Sequence, residues 1–158
     1  MQLNKTKSNP IFHFSIPGVP IPQKRHRHTT AGKFVRTYDP SKEDKEIFFS
    51  QCIEQTDMKY YHSVYPLSHM GYISVSIFFC MPIPKSTSKK KTLELLDFVT
   101  YHTKRPDIDN LIKFVLDALS GQFWKDDSLV AQIDAHKIYA MNPRTDIQII
   151  YKDGLQNG

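Results

Sequence analysis

Apolar and polar positions alternate in the stretch IFHFSIPGVP, with Phe12, Phe14 and Ile16 on one side. A period of two predicts a strand, which Pro17-Gly18 ends or bends. The following IPQKRHRHTTAGKFVRTYDP shows no helical period; it predicts a loop or ribbon, with a turn at Thr30-Ala31-Gly32-Lys33 and a short strand at Phe34-Val35. In DPSKEDKEIFFSQCIEQT the apolar residues return at helical intervals, at Ile47, Phe48 and Cys52, reaching towards Gln55. Pro40 or Ser41 opens that helix and acids fill its first turns. A loop follows, and then the apolar run Tyr72 to Met81, which predicts a buried strand. The Pro/Lys/Ser-rich segment 82–98 holds at most one short helix. From Asp109, Leu111, Ile112, Val115, Leu116 and Leu119 form one helical stripe, and Asp109, Lys113, Asp117 and Ser120 lie opposite. Gly121 stands where a left-handed cap would end the helix. Two strands, LVAQIDAHKIYA and TDIQIIY, close the pattern around an Asn142-Pro143 turn.

These elements describe one α+β domain, compact, with a small mixed or antiparallel sheet and two main helices. Its expected extent is 11–152, with flexible ends at 1–10 and 153–158. The chain of 158 residues, 40% hydrophobic and 23% charged, is ordinary for a soluble globular protein with a real core. The apolar run 72–81 is too short to span a membrane, and the N-terminus has no signal-peptide apolar region, so a cytoplasmic protein with no membrane partner is expected. Cys52 and Cys80 have no metal-ligand spacing and are read as small buried hydrophobes.

Charge changes this picture. The net +5 is uneven: residues 1–38 carry Lys and Arg and no acid, and 85–105 are again basic. Residues 106–127 reverse the sign, with Asp107, Asp109, Asp117, Asp126 and Asp127 against Lys113 and Lys125. An acidic island between basic segments suits a polyanion held by Lys and Arg with a cation among the carboxylates. Solvated surface charge with a flexible basic tail is the plainer alternative.

Pro106 biases Arg105 towards extended backbone, and in extended chain residues two apart point the same way, which places Asp107 beside Asp109. Asp109 is then also a suitable helix N-cap. Two carboxylates about 4 Å apart repel by roughly 1 kcal/mol in water and by more where partly buried. Protonation, Lys113 or a divalent cation can offset that repulsion. Mg²⁺ takes oxygen ligands and is commonly held by one or two carboxylates plus phosphate oxygens. Asp126-Asp127 can add a third or fourth ligand, or can be a solvated turn. The His/Cys set that zinc prefers is missing. Asp117 is read as surface, paired with Lys113 four residues away. A D-x-D pair by itself also occurs in nucleotide-sugar transferases.

The stretch RPDIDNLIK at 105–113, then DAL at 117–119, FW at 123–124 and DD at 126–127 resembles the signature of the RusA family of Holliday-junction resolvases, endonucleases of bacteria, their phages and prophages. IPGVPIPQKRHR is similar to that family's first strand and basic loop. The resemblance implies essential acids at Asp107, Asp109 and Asp127, a supporting acid at Asp126 and an essential lysine at Lys113. It implies a homodimer that uses Mg²⁺, with Mn²⁺ as a substitute, to nick two strands of a four-way DNA junction symmetrically, leaving a 5′-phosphate. The chain has extra residues around 83–100 and at its N-terminus.

On this reading Asp107, Asp109, Asp127 and Asp126 are the metal ligands. Lys113 neutralises charge on the reacting phosphate or orients the water. Lys24, Arg25, Arg27, Lys33, Arg36, Arg105 and the run Lys89, Lys90 and Lys91 contact backbone phosphates, which fixes position without reading sequence. His26 and His28 belong with the phosphate contacts. Phe123 and Trp124 are core or site-wall residues, with stacking on an unpaired base as the lesser alternative. Two other classes compete: a non-catalytic junction-binding module whose acids merely cap a helix, and a D-x-D transferase. The lack of a Gly-rich nucleotide loop argues against the transferase and against a nucleotide cofactor.

Overall fold

The computed structural model describes residues 10–63 and 71–154, so the ends expected to be flexible lie almost wholly outside the described residues. In β1 (Ile11–Pro17) Phe12, Phe14 and Ile16 are buried and the alternate residues exposed, as the period of two predicts. β2 (Arg27–Ala31) and β3 (Phe34–Tyr38) pair antiparallel as a separate ribbon. Its turn includes Gly32 at φ +64°, a left-handed conformation that glycine adopts without steric penalty. α1 (Lys42–Glu54) follows, then a short α2 (Met58–Ser63) where the sequence predicts only loop. After β4 (Tyr72–Pro82) come α3 (Lys89–Asp97) and α4 (Ile108–Leu119), a 3₁₀ turn at Asp127–Leu129, and the strands β5 (Val130–Ala140) and β6 (Arg144–Lys152).

The four long strands form one sheet in the order β1-β6-β4-β5. β6 lies antiparallel to both β1 and β4, whereas β5 runs parallel to β4. A parallel neighbour needs a crossover of a dozen residues or more. Here the crossover contains α3 and α4, and the start of α4 shares a cleft with Ala135, His136 and Lys137 in the middle of β5. One sheet face, with Ile73, Val75, Ile77, Ile147, Ile149 and Tyr151, packs into a single core with α1 and α4. The result is a single α+β domain with a mixed sheet and two main helices, as expected. Among the described residues no helix is long and apolar enough to cross a membrane.

Three local expectations change. Ile47, placed on the inner stripe of α1, is 54% exposed, and Phe48 and Cys52 carry the burial. The inner face of α4 is centred on Leu111, Phe114, Val115, Ala118 and Leu119, with Ile112 and Leu116 only half-buried. Phe114 turns inward because Phe48 of α1 meets it edge-on at 5.5 Å. Gly121 does have positive φ, +75°, but Ser120 before it is extended, so the glycine serves a turn beyond the helix rather than a helical cap. Both cysteines are free and buried, as expected, and burial pushes the Cys52 thiol up to about 12.

Candidate active site

The chain reaches its acidic stretch along the sheet edge. His102 N–H donates to Lys137 C=O at 2.8 Å and Tyr139 N–H to Thr100 C=O at 3.0 Å, which seats residues 100–102 against the free side of β5. Lys137 then reaches across, its Nζ donating to the carbonyls of Lys104 at 2.5 Å and Pro106 at 2.6 Å. The Arg105–Pro106 bond is cis. Asp107 is extended, at φ −71° and ψ 142°, and α4 begins at Ile108. The N-cap is therefore Asp107 and not Asp109, which sits in the first turn. The helix starts two residues earlier than expected because Pro106, not Asp109, marks the last residue before the cap.

Asp107 makes no side-chain capping bond. Among the described residues neither its carboxylate nor that of Asp109 has a hydrogen-bond or ion-pair partner. Both line an open cleft of about 610 Å³ with Lys104, Arg105, His136 and Lys137. The crowding is offset by the helix N-terminus, whose partial positive charge favours acids in the first turn, and by the cationic rim. Two unengaged carboxylates on one cleft are a donor set that Mg²⁺ accepts when phosphate oxygens and water complete the shell.

Asp127 is held differently. The indole Nε1 of Trp124 donates to Asp127 Oδ1 at 2.8 Å, while Asp126 Oδ1 accepts Ser128 N–H at 2.9 Å and caps the 3₁₀ turn. That capping holds the Asp126 carboxyl below its ordinary range, first through the Ser128 bonds. Among the described residues no three His, Cys, Asp or Glu side chains gather closely enough to hold a metal ion. Asp107 and Asp109 thus line one cleft, and Asp127 is not among the residues that line it. Phe123 and Trp124 are fully buried, which rules out stacking on a base; Trp124 is a core residue that also orients Asp127.

The segment 120–124 that leads to Asp127 is tied to the core. Tyr151 Oη donates to Phe123 C=O at 2.6 Å and Tyr61 Oη to Gln122 C=O at 2.8 Å. Phe123 packs against Phe12 and Phe14 with centroids 5.4 and 5.1 Å apart.

Lys113 is exposed on α4, 3.6 Å from Asp117 as the four-residue spacing predicts. Asp117 is not a plain surface residue, however. Its Oδ2 accepts from Lys45 Nζ at 3.0 Å, and the Lys45 side chain is only 13% exposed. The same Nζ donates to Asp39 Oδ2 at 2.7 Å. Lys24, Arg25, Arg27 and Lys33 are exposed along the segment and ribbon after β1, and Arg36 faces Thr29 in the ribbon's register. Lys24 already pairs with Asp44 at 2.8 Å. Lys89, Lys90 and Lys91 are exposed at the start of α3, with Lys91 3.1 Å from Glu94. Arg105 lies on the cleft itself.

Sequence reasoning missed Lys137, the Lys45 network and His136. His136 Nε2 lies 3.0 Å from Asp134 and its ring stacks on Phe78 at 4.9 Å. His102, beside it, is kept below the usual histidine range, first by burial and then by the nearby Lys137 charge. Only the alternation of β5, which puts Asp134 and His136 on the same face, signals the pairing in advance.

A family model described as endodeoxyribonuclease RusA matches residues 17–150. The chain is also similar to the uncharacterized protein YqaN of Bacillus subtilis (strain 168), 30% identical over 138 residues that cover 86% of this chain and 93% of that protein. The matched residues span β1's end to β6 and include the cleft, α4, the Asp126-Asp127 turn and the basic ribbon; the chain belongs to the RusA endodeoxyribonuclease family.

Proposed function

We propose that the protein is a Mg²⁺-dependent endonuclease that resolves four-way DNA junctions by paired, symmetric nicks in DNA recombination and repair. The observation that carries this reading is the pair of unengaged carboxylates, Asp107 and Asp109, on an open cleft with a cationic rim, in a chain of an endodeoxyribonuclease family. Asp107 and Asp109 would hold the ion, with Asp127, whose carboxylate Trp124 orients, as the third carboxylate. When bound, the ion supplies positive charge at the scissile phosphate and lowers the pKa of a coordinated water.

The protein's own residues set the geometry. Lys24, Arg25, Arg27, Lys33, Arg36 and the Lys89–Lys91 run hold backbone phosphates, so that selection rests on DNA shape and deformability. Lys113, one turn along α4 from Asp109, places its ammonium where charge develops on phosphorus. The oxygen of a water bonds to phosphorus as the bond to the 3′ oxygen breaks. The water proton passes to solvent and the departing 3′ oxygen takes one up, leaving a 5′-phosphate. A homodimer presents two such sites to a substrate of approximate two-fold symmetry. The sheet face turned away from the helices, where Tyr72 and Phe78 remain part-exposed, offers the dimer its surface.

Labelled static four-way and linear duplexes, incubated with and without Mg²⁺, test the reading. Symmetric nicks confined to the junction and dependent on the metal are expected. Binding without cutting in either Mg²⁺ or Mn²⁺ would leave a non-catalytic junction-binding module instead.

A further inference from the structure

The basic segment after β1 and the helix that carries Asp109 and Lys113 are distant in sequence, yet joined at two points. The first is backbone: Gln23 N–H donates to Asn110 C=O, in the first turn of α4, at 2.9 Å. The second runs through side chains. Gln23 Nε2 donates to Asp39 Oδ1 at 3.0 Å, Asp39 Oδ2 accepts from Lys45 at 2.7 Å, and Lys45 donates again to Asp117 at 3.0 Å. Asp117 lies about two turns along α4 from Asn110 and is itself 3.6 Å from Lys113. The contacts therefore close a ring from α4 through the basic segment and α1 back to α4. Ser41 braces it, accepting Lys24 N–H at 3.0 Å through Oγ and donating its own N–H to Asp39 at 2.9 Å.

The composition of this ring is unusual for a surface. Lys45, Asp39 and Asp117 are 13, 22 and 25% exposed. One lysine shared between two half-buried carboxylates gains little net stability over an apolar replacement, because desolvation opposes the Coulombic attraction. What it does fix is the relative placement of three elements, since a cation with two short carboxylate contacts tolerates little displacement of either.

We propose that Lys45, with Asp39 and Asp117, is a positioning centre that locks the DNA-contacting segment beginning at Gln23-Lys24 to the catalytic helix. The phosphate held by the basic residues is thereby set at a fixed distance from Asp109 and Lys113. This inference rests on the nuclease reading for its catalytic consequence, but not for the structural link. Misplacing a reacting group by about 1 Å can cost around 100-fold in rate. Loss of the centre accordingly acts on turnover with bound junction more than on binding, because the phosphate-contacting side chains themselves remain.

The test compares Lys45→Met, Lys45→Arg and the neutral triple variant Lys45→Met/Asp39→Asn/Asp117→Asn. The triple leaves no buried charge unpaired and so keeps the fold if the single Met variant does not. Cleavage at saturating four-way junction should fall roughly 10- to 100-fold in the Met and triple variants, with the junction Kd changed by no more than about threefold. Lys45→Arg should recover most of the rate. Amide hydrogen exchange supplies the readout that needs no activity. The Gln23 and Lys24 amides should exchange at least about tenfold faster in the triple variant, while those of β4 stay as in wild type. Uniformly faster exchange everywhere would mean a general loss of stability and overturn the proposal, as would wild-type turnover in the folded triple variant. A wild-type protein that never cuts junctions would sink the nuclease reading alone, and the exchange comparison would still decide the link.

Discussion

Replacing Tyr151 by Phe removes a single oxygen atom and leaves the ring, which meets Phe12 at a centroid distance of 5.8 Å, in place. The hydroxyl is fully buried and donates to Phe123 C=O at 2.6 Å, and burial pushes its pKa upwards, so it remains a donor at any physiological pH. The lost bond is worth about 1 kcal/mol net, and the carbonyl left behind in an apolar setting brings the total to about 1–3 kcal/mol. In a chain of this size 1 kcal/mol moves Tm by about 2–4 °C, so a fall of roughly 2–12 °C is expected by calorimetry. The same bond fixes the turn that delivers Trp124 and hence Asp127, so half-maximal cleavage should also require more Mg²⁺ than in wild type. A Tm within about 1 °C of wild type would refute the argument that this hydroxyl ties the 120–127 segment to the core.

Two further outcomes follow from the charged groups. Burial is the largest influence on Asp39 and raises its pKa, but hydrogen bonds from Lys45, Ser41 and Gln23 and the Lys45 charge together outweigh it, leaving the carboxyl below its ordinary 3.8. A depressed folded value adds stability above 3.8 that disappears as pH falls through the folded value. The stability difference between wild type and Asp39→Asn, measured by urea unfolding, should therefore be constant from about pH 5 to 7 and shrink below about pH 4. Lys113→Met should reduce junction cleavage by about 100-fold or more while leaving the Kd in a gel-shift titration nearly unchanged, as expected for a charge that acts on the transition state.

Much of this was legible because the signals are local. The stripe of α4 and the alternation of β1 repeat within a few residues, whereas Asp107 and Asp109 reach one cleft from the N-cap and first turn of α4, not side by side along extended chain as the sequence suggests. What was hidden depends on partners far apart in sequence. Lys45 and Asp117 are separated by 72 positions, and nothing near either residue distinguishes their contact from the ordinary pairing of Asp117 with Lys113. The direction of β5 is likewise a tertiary matter: the same alternating run fits a parallel or an antiparallel neighbour, and only the crossover through α4 makes it parallel to β4. Ile47 shows the limit of periodicity, since helical spacing names a stripe but not how far the helix is rolled on the sheet. Asp127 shows another limit: the acidic dipeptide was conspicuous, but the indole that holds its carboxylate belongs to the core.

The central claim is that Asp107 and Asp109 hold the metal of a junction-cutting nuclease. Asp107→Asn tests it most directly, because it keeps the shape of a side chain that caps α4 without a capping bond and removes only the charge. With labelled four-way junction in Mg²⁺, wild type should nick symmetrically at the crossover, and the variant should bind the same junction with similar affinity and cut nothing above background. Cleavage by Asp107→Asn at the wild-type rate would contradict the account.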